Sequence, residues 1–119
     1  LGVSAIEARL AELGISIPSV TKPVAAYVPA VASGNLVMTA GQLPFVDGAL
    51  PATGKVGAEV AADDAAGYAR TAVLNALAAV QGVIGSLDRV TRIVKVVVFV
   101  ASAPDFTGLK GLDKVSLAD

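Results

Sequence analysis

The chain has 119 residues, of which 55% are hydrophobic, 16% charged and 4% aromatic, with a mean hydropathy of +0.73. That size predicts one domain, and an apolar content this high excludes intrinsic disorder. Nine basic and ten acidic residues give a net charge of −1, which offers no basic surface to a nucleic acid.

Cysteine, histidine and tryptophan are absent. Disulfides, thiolate nucleophiles, imidazole bases and His- or Cys-ligated metals are therefore excluded, and the lack of cysteine fits a reducing, cytoplasmic setting. The most apolar stretch, residues 72–87, is interrupted by Asn75, Gln81 and Ser86. A membrane span needs about 20 mostly apolar residues, so none is predicted. The N-terminal residues carry no basic segment followed by an apolar run, so no signal peptide is predicted. With few large aromatic residues the core must be built from Ala and Val, and so apolar a short chain is expected to bury a face against another subunit.

Residues 4–13 read as a short helix. Ile6, Leu10 and Leu13 share one face, Ser4 and Glu7 have capping-box spacing, and Gly14 suits a left-handed stop. Residues 15–23 are a connector. Residues 24–31 and 36–40 read as two strands of a hairpin joined through Ser33-Gly34-Asn35, with Pro29 marking an edge or irregularity. Residues 45–60 are loop-like, with a further tight hairpin possible at Asp47-Gly48.

Residues 63–84 give the clearest helical pattern. Ala69, Val73, Ala76, Val80 and Ile84 form one stripe, with Leu77 beside it. Arg70, Asn75 and Gln81 fall off it, and Asp63 or Asp64 is placed to cap the N-terminus. Gly85 is the expected stop. Residues 86–89 are a turn. Residues 91–101, TRIVKVVVFVA, read as a central strand apolar on both faces, one covered by the long helix and the other by a neighbouring subunit. A loop through Pro104 leads to a possible helix capped by Asp105. The order of elements is that of an α+β domain in which helices pack on one face of a mixed sheet.

Spacing alone reveals no catalytic constellation. Asp63-Asp64 reads as helix capping rather than a carboxylate pair, and Lys55 beside Gly54 lacks phosphate-loop spacing. Lys95 is expected to bury its stem and extend its amine to a sheet edge or subunit seam. On pattern alone Tyr27 is a half-buried strand residue.

Three segments taken together carry a more specific signal. They are Pro23-Val24-Ala25-Ala26-Tyr27; Ser33-Gly34-Asn35-Leu36-Val37 continuing to Thr39-Ala40-Gly41-Gln42-Leu43-Pro44; and the stretch from Val94 to Val100 followed by Asp105-Phe106. In this order and spacing they resemble the YjgF/RidA family of reactive-intermediate deaminases, some of whose members are known as endoribonuclease L-PSP. The N-terminal helix resembles a branch with an added segment there. The resemblance implies a chorismate-mutase-like α+β fold and a homotrimer with ligand sites between subunits. It further implies hydrolysis of enamines and imines to 2-oxo acids and ammonia without a metal or bound cofactor.

By the same resemblance Tyr27, Ala40, Gly41 and Phe106 are the substrate-binding positions. Ala40 stands where many members have Ser. The family's carboxylate-binding Arg and a later Glu belong to C-terminal strands outside these 119 residues, and the chain is expected to be one domain, residues 1–119, without them. Two other functions fit the same scaffold. One is a non-enzymatic trimer that binds a small 2-imino or 2-oxo acid. The other, less supported by charge, is an RNA-cleaving translation inhibitor.

Overall fold

A computed structural model describes residues 5–20 and 25–108. The chain divides into two compact units, one formed by Leu1–Gln42 with Leu74–Val94 and the other by Leu43–Val73 with Lys95–Asp119. The elements are helix α1 (Ala5–Glu12), strands β1 (Ala30–Ser33) and β2 (Leu36–Thr39), helix α2 (Ala62–Ile84) and a 3₁₀ turn, Leu87–Arg89. This is an α+β chain, as the order of sequence patterns predicts. The first half of α2 belongs to the second unit and its remainder to the first.

In the first unit α1 ends as its sequence requires. Gly14 adopts φ +69, Ile15 donates its N–H to the Leu10 carbonyl at 2.8 Å, and Gly14 donates to Ala11 at 3.1 Å. That pair of bonds is a Schellman motif, which satisfies carbonyls the helix end would otherwise orphan. The expected cap at Ser4 lies outside the described residues. The α1 N-terminus is held from far along the chain. The Asp88 carboxylate accepts from the Ala5 N–H at 3.1 Å and the Ile6 N–H at 2.8 Å.

β1 and β2 are antiparallel, with Ala30 opposite Thr39 and Ser33 opposite Leu36. Gly34 opens their two-residue loop at φ +59, the position that a type II′ turn reserves for glycine. The first strand is shorter than the expected 24–31. Its pairing begins at Ala30, because Pro29 can accept from the Ala40 N–H at 2.8 Å but has no N–H to return.

α2 ends at Gly85, which adopts φ +83. The Arg89 guanidinium donates to the Ile84 carbonyl at 3.0 Å, placing a cation at the negative end of the helix dipole. Leu87 is buried, and Ser86 Oγ accepts from the Asp88 N–H at 3.2 Å.

Three expectations are corrected. α2 begins at Ala62, so Asp63 and Asp64 lie inside its first turn rather than capping it. The face of α2 that packs most tightly carries Asn75, Ala78 and Ala79, and Asn75 is only 2% exposed. The expected stripe is only partly buried, because a helix so rich in Ala shows apolar character all round and its smallest side chains allow the closest approach.

The third correction concerns residues 91–101. They do not form the expected strand, and no strand lies beside them among the described residues. Ile93, Val94, Val96 and Val97 are exposed, Phe99 is 93% exposed, and Lys95 is also exposed rather than having a buried stem. Only the C-terminal end of the segment is anchored, at Val100 and Ala101 in the second unit.

That anchor organises the second unit. Val56 donates its N–H to the Ala101 carbonyl and accepts from the Ala103 N–H, both at 2.9 Å. Val56 and Val60 form a small core against Ala62, Ala65, Tyr68, Val100 and Phe106. Val46 and Ala49 exchange backbone hydrogen bonds of 2.9 and 3.1 Å across Asp47-Gly48. Asp47 and Gly48 both have positive φ, as the type I′ turn of a minimal hairpin requires.

Candidate functional site

The hairpin ladder determines which residues of the sequence motif meet. The Ala40-to-Pro29 bond is its last rung, so the strand-like chain on either side leaves the sheet there. Tyr27 lies two residues before Pro29, and Gly41 one residue after Ala40. Both therefore sit at the open end of the hairpin, in the first unit. Tyr27 is outside β1, with its N–H donated to the Ala25 carbonyl at 2.9 Å and its side chain 44% exposed. Gln42 turns back so that Nε2 donates to the Ala40 carbonyl at 3.3 Å.

Gly41 is exposed, does not adopt a positive φ, and a Cβ built there would meet no heavy atom within 4 Å. Neither local backbone nor local packing therefore demands glycine at this position. A glycine here leaves the backbone bare on that side. Ala40 offers a methyl group and no proton.

Phe106 is in the second unit. A turn returns its N–H to the Ala103 carbonyl at 3.0 Å. Its ring is partly buried on the Val56–Val60 core and lies against Gly57 at one end and Gly108 at the other. The structure thus gathers Tyr27, Ala40 and Gly41 at one end of one hairpin and holds Phe106 in a separate seat. The helix expected after Asp105 is not present through Gly108, and its remainder lies outside the described residues.

Among the described residues no three His, Cys, Asp or Glu side chains gather to hold a metal ion, and no helix is long and apolar enough to cross a membrane. The carboxyl of Glu59 is held below the usual glutamate value, chiefly by the Lys55 N–H and then by its own N–H. Its Oε2 lies 3.0 Å from the Lys55 nitrogen, so this charge stiffens the loop before α2. Arg89 is committed to Ile84, and Arg9 pairs with Glu12 at 3.2 Å. Sequence reading missed Asp88 and Gly57, because the partners they serve are distant in the chain.

A motif-bearing hairpin, a long helix and an Asp-Phe segment seated beside that helix define a YjgF-type α+β protein. The chain belongs to the family described as "YjgF/chorismate mutase-like, putative endoribonuclease", whose model matches residues 7–113. It is 39% identical over 102 residues to Protein TCP17 of Trypanosoma cruzi, an alignment covering 86% of this chain and 64% of that protein. It also resembles the crystal structure of protein Atu1372, of unknown function, from Agrobacterium tumefaciens, with 41% identity and a TM-score of 0.75, covering 86% of this chain and 62% of that one. A "putative endoribonuclease" structure from Shewanella oneidensis MR-1 gives 33% identity and a TM-score of 0.69, covering 73% and 58%. The chain spans less than two thirds of the length of each of these three.

Proposed function

We propose that the protein hydrolyses reactive enamines and imines to 2-oxo acids and ammonia, in clefts between the copies of a cytoplasmic homotrimer. The observation that supports this reading is that the Ala40-to-Pro29 bond ends the hairpin ladder next to two motif positions, an exposed phenol at Tyr27 and bare backbone at Gly41. The exposed apolar ribbon from Ile93 to Phe99 supports assembly, since a patch of this kind on a soluble chain is a contact surface.

The chemistry needs little from the protein. Protonation of the enamine carbon, with loss of a proton from its nitrogen to solvent, gives an imine whose carbon is already electrophilic. Water adds there, the carbon–nitrogen bond breaks, and the products are a 2-oxo acid and ammonia. Holding the planar substrate against the backbone at Gly41 and placing a water at the Tyr27 hydroxyl lowers the barrier through orientation. The family's carboxylate-holding Arg lies on strands outside this sequence, and Arg89 is not a substitute for it, because it caps α2.

The test is a coupled assay. The full-length protein is added to a threonine dehydratase, with semicarbazide trapping the imine as it forms. Faster loss of imine is expected, and Tyr27→Phe should slow it about tenfold or more, within the range of a lost positioning or proton-transfer group. An unchanged rate of imine loss in the presence of the wild type sinks the proposal.

Ala40 favours a second reading, a trimer that binds the same acids without turning them over, because the hydroxyl that many relatives carry there is missing. Thermal stabilisation by 2-oxo acids with no imine hydrolysis would identify it. The endoribonuclease description of the family gains no support from a net charge of −1 and a sequence without histidine.

A further inference from the structure

The ring of Phe106 is bracketed by two glycines. A Cβ at Gly57 would lie 2.8 Å from Phe106 Cδ2 and 3.0 Å from both Cβ and Cγ. At the other end of the ring a Cβ at Gly108 would lie 2.8 Å from Cζ and 3.2 Å from Cε2. Gly57 also has φ +89, a conformation costly for any residue with a side chain.

The Gly57 contact is held on both sides by backbone bonding. Val56 is held to both Ala101 and Ala103, Gly57 donates to the Val60 carbonyl at 2.9 Å, and Phe106 donates to Ala103. The aromatic ring therefore lies on the Val56–Val60 core in a space that the absence of two methyl groups leaves open.

We infer that Gly57 and Gly108 are positioning residues that hold the Phe106 ring in the plane from which it meets the substrate. The inference rests on the proposed function together with the family resemblance, which makes Phe106 a substrate-binding position. A side chain at either glycine moves the ring by its base or its tip while leaving Tyr27 and Gly41 untouched, so substrate binding changes more than the chemical step.

The experiment uses the full-length protein with Gly57→Ala, Gly108→Ala, Phe106→Ala and the combinations with Phe106→Ala. It reads KM and kcat for imine hydrolysis and Kd for 2-oxobutanoate. In each glycine variant KM and Kd should rise about tenfold with kcat within about twofold, the pattern of lost uniform binding. In the Phe106→Ala background neither glycine substitution should change KM further, because the ring that coupled them is gone.

Gly54→Ala is the control. Gly54 has φ +127 in the same loop, but the nearest atoms to a Cβ there belong to Glu59, with its Cβ at 2.6 Å, and not to Phe106. Backbone strain there should lower the melting temperature without raising KM. Gly108 does not adopt a positive φ, so Gly108→Ala tests the ring even where Gly57→Ala destabilises the fold. An active wild type whose glycine variants keep the wild-type KM and Kd, or whose effects simply add to those of Phe106→Ala, overturns the inference alone. A wild type that neither hydrolyses the imine nor binds the oxo acid overturns the proposed function, and this inference with it.

Discussion

Removing the Asp88 carboxylate should loosen the N-terminal helix and little else. α1 has eight residues, none of them buried, and isolated helices shorter than about 12–15 residues are marginal in water. Its N-terminal donors at Ala5 and Ile6 depend on Asp88, and Gln81 Nε2 adds one bond to Glu7 at 3.3 Å. Losing an N-cap costs about 1 kcal/mol. Opening of α1 is a local event, so that cost should appear as roughly fivefold faster amide exchange within α1, since local opening free energies govern protection. Asp88→Ala is the full deletion. Asp88→Asn keeps an acceptor but loses the charge that complements the helix dipole, and should fall at about two- to threefold. Hydrogen exchange followed by NMR measures both, with the amides of Ala78 and Ala79 in α2 as internal reference. Unchanged protection in α1 would refute the reasoning. So would equal acceleration at Ala78 and Ala79, which would make Asp88 a determinant of global stability rather than a clasp on one helix.

Glu59 gives a prediction with a sign. Its carboxyl is depressed in the folded chain below the ordinary value of 4.5. Its contribution is therefore complete above that pH and is lost as pH falls through the lower folded value. The Lys55 and Glu59 amide resonances should report a midpoint below 4.5, and Glu59→Gln should abolish the step; a midpoint at or above the ordinary value contradicts the hydrogen bonding described. Phe99→Glu tests the apolar ribbon. A substitution at so exposed a side chain should change the stability of the single chain by no more than about 0.5 kcal/mol, yet a charge buried between copies should abolish assembly. Light scattering should show the proposed trimer in the wild type and a one-copy mass in the variant, and an unchanged assembly in the variant refutes a role for this ribbon in the contact.

Local chemistry was readable where a residue's neighbours in sequence are also its neighbours in space. The stop at Gly14, the Gly34 turn, the Asp47-Gly48 hairpin and the extent of α2 all belong to this class. Each is decided within a few residues by a positive φ or a helical period. Pro29 shortened β1 for an equally local reason. Misreadings came where the partner is remote. The bonds from Asp88 to the start of α1 were not foreseen. Asn75 was placed off the apolar stripe of α2, but a helix with so many alanines does not select its buried face by hydrophobicity alone. Residues 91–101 were read from their composition as covered on both sides, and the described residues supply no strand to cover them. Such a pattern records the environment a segment is built for, without naming the chain that provides it.

The candidate site divides along the same line. Tyr27, Ala40 and Gly41 were marked by motif, and the strand pairing then explains why residues thirteen and fourteen positions apart come to one end of the molecule's hairpin. A single backbone bond, from Ala40 to Pro29, closes the ladder and sets both flanks free to face a ligand. Phe106 was marked by motif as well, but nothing in the sequence tied it to Gly57, almost fifty residues earlier. Their relation depends on Val56 being hydrogen-bonded between Ala101 and Ala103, which a linear pattern does not contain. The division has a physical consequence. Under the proposed function, substitutions near Tyr27 act on groups that touch the substrate, whereas substitutions at Gly57 and Gly108 act through the placement of a ring. The two should therefore separate in kinetics, with Tyr27→Phe falling on kcat and the glycine variants on KM. A Tyr27→Phe enzyme whose only defect is in KM would show that the phenol binds rather than acts, and would move the weight of the argument from hydrolysis to binding.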